Sequence, residues 1–258
     1  MRLVLVGAAG RMGRAVEAAA AGLPGVEIGA RVDRRANFPE GGGVWNEDVA
    51  SVTRPGDVVV EFSSAAGARA AAAACAEKGA ALVSGSTGLA PEDEAALRAA
   101  TARVAVLRAS NFSLGIAALR LALRAALGAL PEDWDVEIVE RHHRGKRDCP
   151  SGTALTLAAD VRALRGWPES ALRHGRQGQA GPRPAAELGL HAVRGGTWVG
   201  DHQVLLAGAG EWLELRHVAQ DRTAFAQGAL AAARFLMTAA PGTYTLEDVL
   251  RAPGPRAR

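Results

Sequence analysis

The first hundred residues alternate between short apolar runs and longer alanine-rich stretches, with glycine-containing turns between them. Val- and Leu-rich runs of this length predict buried strands, and alanine-rich stretches without internal proline predict helices. The expected strands are residues 2–6, 26–32, 57–62, 80–84 and 104–109, and the expected helices between them are residues 11–21, 67–78 and 92–101. This alternation is typical of an α/β fold with a Rossmann-like, doubly wound parallel sheet.

The pattern changes after Asn111. The following segments predict helices at residues 113–130 and 151–164, a strand at 135–140, a loop at 142–150, and antiparallel strands at 188–193, 198–207 and 212–218. We therefore expect residues 113–222 to form a C-terminal α+β domain with a mixed or antiparallel sheet. Residues 1–112 then form a dinucleotide-binding domain, completed by residues 223–258 with their alanine-rich helix.

A glycine-rich turn joins the first strand to the first helix. Its spacing is G-x-x-G-x-x-G, and its members are Gly7, Ala8, Ala9, Gly10, Arg11, Met12 and Gly13. Glycines there let the backbone approach a pyrophosphate, and the helix start supplies positive potential. Asp33 ends the second strand, where an acid accepts hydrogen bonds from the adenosine ribose, and Arg34 is placed to hold a 2′-phosphate. We expect NADH, NADPH or both as cofactor.

Two further loops follow strands at the edge where open α/β sheets bind ligands. Both are expected to contact the nicotinamide half of the cofactor. Their residues are Gly85, Ser86 and Thr87 after the fourth strand, and Ala109, Ser110, Asn111 and Phe112 after the fifth.

The segment from Glu140 to Thr153 concentrates reactive side chains. His142, His143 and Lys146 offer protons near neutral pH. Ser151, Gly152 and Thr153 then begin a helix, which with the neighbouring cations suits a small anionic substrate. The two adjacent histidines lack obvious carboxylate or thiolate partners in the sequence, so we expect no metal.

Composition narrows the class of protein. Thirty basic against 27 acidic residues leave a net charge of +3, too small an excess to argue for nucleic acid. Two cysteines cannot form a disulfide framework or a four-ligand zinc site, which fits a reducing cytoplasm. The apolar run after Met1 is too short for a signal or a membrane span, so no membrane partner is expected.

Five motifs together resemble the 4-hydroxy-tetrahydrodipicolinate reductase (dihydrodipicolinate reductase) family. They are GAAGRMG, SGSTG, ASNFSLG, ERHHRGKRDCPSGTA and GEWLELRHVAQDRTAFAQGAL, in that family's order and spacing. The resemblance covers essentially the whole chain. One departure is the loop Glu61-Phe62-Ser63-Ser64-Ala65, which lacks the proline common there in the family.

The resemblance implies a homotetramer that reduces the dicarboxylate 4-hydroxy-tetrahydrodipicolinate to tetrahydrodipicolinate with NAD(P)H, in lysine biosynthesis through diaminopimelate. It implies that residues 113–222 bind this substrate and make the oligomer contacts. It implies that His142 donates a proton with Lys146 as its catalytic companion. It also implies that His143 and the group Ser151, Gly152 and Thr153 hold the substrate carboxylates.

Other interpretations stay open on the residues alone. One is another nicotinamide oxidoreductase acting on an amino-acid-derived acid or aldehyde, and a more distant one is a non-catalytic dinucleotide-sensing regulator. His191, His202 and His217 are interpreted as structural residues, His191 and His202 on strand faces. The tryptophans are expected to be core or interface anchors.

Overall fold

The computed structural model describes residues 1–39 and 45–252. The chain forms two compact units. Unit 1 is Met1–Leu114 together with the chain from Arg222 onward, and unit 2 is Gly115–Asp221. Within the described ranges, no helix is long and apolar enough to cross a bilayer.

Unit 1 is built on a seven-stranded sheet with the order β12-β6-β5-β4-β1-β2-β3. Every pairing in this sheet is parallel. The strands are β1 (Arg2–Val6), β2 (Glu27–Val32), β3 (Trp45–Asn46), β4 (Val58–Glu61), β5 (Ala81–Ser84), β6 (Ala105–Arg108) and β12 (Gly242–Tyr244). The predicted Rossmann-like sheet is confirmed. The edge strands β3 and β12, of two and three residues, are too short for a hydrophobic pattern to predict.

The described part of unit 1 contains six α-helices. They are α1 (Arg11–Ala20), α2 (Val49–Val52), α3 (Ala65–Lys78), α4 (Pro91–Ala100), α7 (Thr223–Leu236) and α8 (Leu246–Arg251). The alanine-rich helix α3 packs closely on the sheet, with Ala68, Ala71 and Cys75 in one buried cluster with Leu82 and Val106. Small side chains let this helix approach the strands, which explains how a chain poor in aromatics fills its core.

Unit 2 contains a five-stranded sheet with the order β11-β10-β7-β9-β8. Its strands are β7 (Asp135–His142), β8 (Leu172–Arg173), β9 (Leu188–Arg194), β10 (Gly200–Ala207) and β11 (Trp212–Ala219), and its helices are α5 (Leu114–Ala129) and α6 (Gly152–Arg165). The mixed sheet is confirmed, but the antiparallel expectation is wrong for β9. That strand runs parallel to β7 and β8, because the long connection after α6 returns it in the same direction.

Strand β7 places both apolar and polar side chains in the interior of unit 2. Its residues alternate between half-buried and buried positions, so Val136, Ile138, Glu140 and His142 share the buried face. The first two pack into an aliphatic core with residues such as Leu157. The strand was predicted to end at Glu140 but continues to His142. The alternation therefore places Glu140 and His142 at the end of a buried face that is otherwise apolar.

Candidate active site

The glycine turn of unit 1 is closely packed. Gly7 has φ +78°, and a Cβ there would overlap the carbonyl oxygen of Phe62. A Cβ at Gly13 would overlap the backbone of Gly7 and Ala8. Helix α1 begins directly after Gly10, whose N–H donates to Gly7 O at 3.0 Å. The turn therefore has the close backbone approach and the helix start that a pyrophosphate site needs.

Asp33 is fixed by three donors. Its Oδ2 accepts the Ala9 N–H at 3.0 Å, and its Oδ1 accepts the Arg34 N–H at 2.8 Å and the Asn37 side-chain amide at 2.6 Å. These bonds join the end of β2 to the glycine turn. Asn37 was not predicted, because an amide four residues beyond the acid has no sequence signature.

A cavity of about 790 Å³ opens beside this turn. Five predicted cofactor residues line it: Gly7, Ala9, Gly10, Asp33 and Arg34. Residues that were not predicted also line it, including Arg14, Asn37, Glu47, Phe62, Ser63 and Ser64. Ala8 is buried beneath the turn, and neither Arg11 nor Met12 lines the cavity. The volume and the mixture of backbone, acid and guanidinium groups fit one part of a dinucleotide.

The other predicted cofactor loops lie at the carboxyl ends of β5 and β6 and do not line this cavity. Ser86 is buried and donates to the carboxylate of Glu61 at 2.6 Å. Asn111 accepts the Ser113 N–H at 2.8 Å, and Phe112 packs edge-on against Phe62 with ring centroids 5.2 Å apart. These side chains therefore make internal contacts at the carboxyl ends of the strands.

In unit 2, Glu140 is the centre of a buried polar cluster. The side chain is fully buried and receives two hydrogen bonds of 2.8 Å from the Arg194 guanidinium and one of 3.1 Å from the Ser151 N–H. Burial raises the pKa of Glu140, but the bonds from Arg194, His142 and Ser151 outweigh burial and hold the pKa below its ordinary value. Glu140 is therefore a carboxylate at neutral pH.

His142 lies against this carboxylate, with Nδ1 2.5 Å from Glu140 Oε2. Because the carboxylate can only accept, Nδ1 carries the proton and Nε2 is the nitrogen left for chemistry. Burial lowers the pKa of His142 and outweighs the opposing effect of Glu140, with Lys146 and Arg194 lowering it further. A Cβ at Gly200 would stand 3.3 Å from Nε2, so the glycine leaves that nitrogen room.

Ser151 connects the helix start to a second histidine. Its hydroxyl oxygen accepts the Ala154 N–H at 3.2 Å as the cap of α6, so its proton is free to reach His202 Nε2 at 3.1 Å. The His202 ring packs edge-on against His142 with centroids 5.1 Å apart. Burial, followed by the charge of His142, lowers the pKa of His202 to about 4. The sequence placed His202 on a strand face; it does lie on β10, but within this cluster.

The remaining predicted residues of unit 2 surround the cluster. Lys146 Nζ bonds both carboxylate oxygens of Asp148, at 2.8 and 2.9 Å. His143 is exposed, and its N–H donates to Trp198 O at 2.8 Å. Gly152 and Thr153 form the first turn of α6. Among the described residues, no group of three metal-ligating side chains meets the geometry of a metal site.

Family comparisons cover nearly the whole chain. A model of the dihydrodipicolinate reductase N-terminus matches residues 1–112, and a model of its C-terminus matches residues 115–250. The 4-hydroxy-tetrahydrodipicolinate reductase of Thermomicrobium roseum is 46% identical over 97% of this chain and 99% of its own length. The protein of the same name from an Anaeromyxobacter species is 41% identical over 97% of each chain.

Solved structures share the fold. A dipicolinate-bound dihydrodipicolinate reductase from Paenisporosarcina sp. TG-14 superposes with a TM-score of 0.78 at 22% identity, covering 96% of this chain and 98% of that one. The DAP dehydrogenase of C. glutamicum, in complex with DAP, gives a TM-score of 0.55 at 13% identity over 96% and 93% of the two chains. With the matches along its full length, this chain belongs to the 4-hydroxy-tetrahydrodipicolinate reductase family.

Proposed function

We propose that this protein reduces 4-hydroxy-tetrahydrodipicolinate to tetrahydrodipicolinate with NAD(P)H and releases water, in lysine biosynthesis through diaminopimelate. The observation that carries the proposal is the Glu140–His142 pair at the end of β7, beside the start of α6 and a cationic loop. Besides a cofactor site, this reaction requires a proton donor and a group that binds the substrate carboxylates, and this region of unit 2 offers both.

Unit 1 is assigned the cofactor. The glycine turn receives the pyrophosphate and Asp33 the adenosine ribose, while Arg34 and Arg14 supply positive charge for a 2′-phosphate. When bound, the reduced nicotinamide supplies a hydride. Because an acid and two guanidinium groups line the same cavity, we expect both NADH and NADPH to serve.

Unit 2 is assigned the substrate, whose two carboxylates need several donors. The backbone N–H groups of Gly152 and Thr153 at the start of α6 offer hydrogen bonds with a favourable helix dipole, and Ser151, whose hydroxyl donates to His202, caps this helix start. His143 and Lys146 add positive charge from the loop after β7. A neutral or singly charged acid would satisfy only part of this set, so the arrangement favours a dicarboxylate.

The net reaction forms one C–H bond on the ring with the hydride and breaks the ring C–O bond, and a proton joins the departing hydroxide to give water. Nε2 of His142 is placed to carry that proton, while Glu140 keeps the opposite nitrogen protonated. Two substrate carboxylates near His142 favour its charged form and oppose the effect of burial. Substrate binding would thus raise the pKa of His142, so that its imidazole carries the proton to be donated.

A coupled assay tests the proposal. Dihydrodipicolinate synthase, pyruvate and aspartate semialdehyde generate the substrate, and loss of NADH or NADPH absorbance reports its reduction. We expect consumption that requires every component. Dinucleotide binding without consumption would refute the reaction and favour another acid as substrate.

We further propose that the chain works in the cytoplasm as a homotetramer, without nucleic-acid or membrane partners. The support is two exposed apolar side chains on the sheet of unit 2, since Trp212 is 72% and Val218 52% exposed. Both lie on β11, an edge strand, and a second copy of the chain would cover them.

A further inference from the structure

Glu61 is a second fully buried acid, at the carboxyl end of β4, and the proposed reaction gives it no task. Its Oε1 accepts the Ser63 N–H at 2.6 Å, the Ser63 hydroxyl at 2.7 Å and the Ser86 hydroxyl at 2.6 Å. Its Oε2 accepts the Ser84 hydroxyl at 2.8 Å. In the described part of the chain, Glu61 forms no salt bridge, so these four neutral donors offset the free-energy cost of burying the carboxylate.

The donors come from two neighbouring strand ends. Ser63 lies in the turn after β4, Ser84 is the last residue of β5, and Ser86 lies in the loop that follows. A further bond of 3.1 Å links the Ser63 N–H to the Ser86 hydroxyl. The carboxylate therefore fixes the β4 turn and the β5 loop to each other.

Part of the Glu61 network lines the cavity. Ser63 and Ser64 line the cavity on one side of the glycine turn, and Asp33 lines it on the other. The strand order places β1 between β2 and β4. A dinucleotide with its ribose at Asp33 and its pyrophosphate at the turn would extend its nicotinamide half over β4 and β5.

We propose that Glu61 is a positioning residue for the nicotinamide half of the cofactor, because it fixes the Ser63 turn and the Ser86 loop that receive that half. The inference rests on the dinucleotide site proposed for unit 1. Glu61 acts through these loops and touches neither the cofactor nor the substrate.

Calorimetry with two ligands tests this role. NADH carries the nicotinamide half, whereas ADP-ribose lacks the nicotinamide ring. We expect Glu61→Ala to weaken NADH binding by about tenfold and ADP-ribose binding by less than about twofold, since the lost hydrogen bonds lie at one end of the site. Glu61→Gln retains the Oε1 bonds and can donate to the Ser84 hydroxyl, so its NADH affinity should stay within about threefold of wild type.

Asp57→Asn is the matched control. Asp57 is a buried acid at the opposite end of β4, where it bonds Arg2 and the Arg54 N–H, and it does not line the cavity. Both ligands should bind this folded variant as they bind wild type. A nicotinamide-specific loss in Asp57→Asn would mean that any buried acid on β4 gives the same effect, and would overturn the proposal.

Equal NADH affinity in wild type and Glu61→Ala, or an equal loss for both ligands, would also overturn it. If Glu61→Ala does not fold, Ser84→Ala takes its place, with an expected NADH loss of about two- to fivefold and no change for ADP-ribose. Unchanged NADH binding in that variant contradicts the inference. A wild-type protein that binds NADH but fails the coupled assay would refute the reaction alone.

Discussion

The proton on His142 lies on Nδ1 because the Glu140 carboxylate accepts it at 2.5 Å. A neutral carboxyl group could not enforce this tautomer, and the bonds from Arg194 keep Glu140 charged. At Ser151 the hydroxyl accepts from the helix and donates to His202, which burial keeps neutral. At the scale of single residues, each reactive group thus has a neighbour that determines where its proton lies.

Replacing His142 by glutamine should remove the proton donor while keeping a polar side chain. We expect turnover in the coupled assay to fall by a factor on the order of 10² to 10⁴. NADH binding by calorimetry should not change, because the cofactor residues lie in unit 1. Turnover close to that of wild type would exclude His142 as the donor.

His202 should make the fold sensitive to acid. Its pKa of about 4 lies below the ordinary value of 6.5, so the unfolded chain binds the proton more readily. The linked stability is complete above pH 6.5 and is lost as pH falls towards 4, up to about 3 kcal/mol. Urea unfolding of wild type and His202→Asn at several pH values measures this difference.

His174, which is exposed, provides the control for that experiment. His174→Asn should retain the wild-type slope of stability between pH 4 and 6.5, whereas His202→Asn should flatten it. Parallel slopes in wild type and His202→Asn would show that the histidine titrates equally in both states.

At the scale of elements, the hydrophobic pattern determined most of the fold. The five longer strands of unit 1 were predicted because buried parallel strands are continuous apolar runs. The direction of β9 could not be predicted, because an apolar run does not show which neighbouring strand it pairs with. Arg194 was missed for the same reason, since it reaches Glu140 across 54 positions of sequence only once β9 lies beside β7.

The pairing of β7 with β9 should therefore be needed to keep Glu140 in place. Arg194→Ala leaves a buried carboxylate without its guanidinium partner, so we expect a loss of about 2 to 4 kcal/mol in the free energy of unfolding, together with reduced turnover. Lys78→Ala, which removes a surface pair with Glu77, should cost less than about 1 kcal/mol. Urea denaturation distinguishes the two; equal costs would contradict the importance of the buried pair.

At the scale of the whole molecule, the turn proposed to bind the dinucleotide lies in unit 1 and the proposed proton donor lies in unit 2. The glycine turn, Asp33 and the loop after β7 could be predicted because short motifs carry them. Glu61 and His202 could not, because their roles depend on hydroxyl groups that other strands bring to them.

The exposed face of β11 predicts self-association. Light scattering should give wild type a mass about four times the chain mass of 26.6 kDa. Trp212→Glu replaces the exposed indole at the start of β11 by a charge and should yield smaller species. Leu164→Glu, on the exposed surface of helix α6, is the control and should leave the mass unchanged. A monomeric wild type would contradict the tetramer.

Isotope transfer shows whether the nicotinamide hydride reaches the ring of the dicarboxylate substrate. The coupled reaction is run with cofactor carrying two deuterium atoms at the nicotinamide C4, and the mass of the product is measured by mass spectrometry. We expect tetrahydrodipicolinate one mass unit heavier than the product formed with unlabelled cofactor. Cofactor oxidation with no deuterium in the product would contradict it.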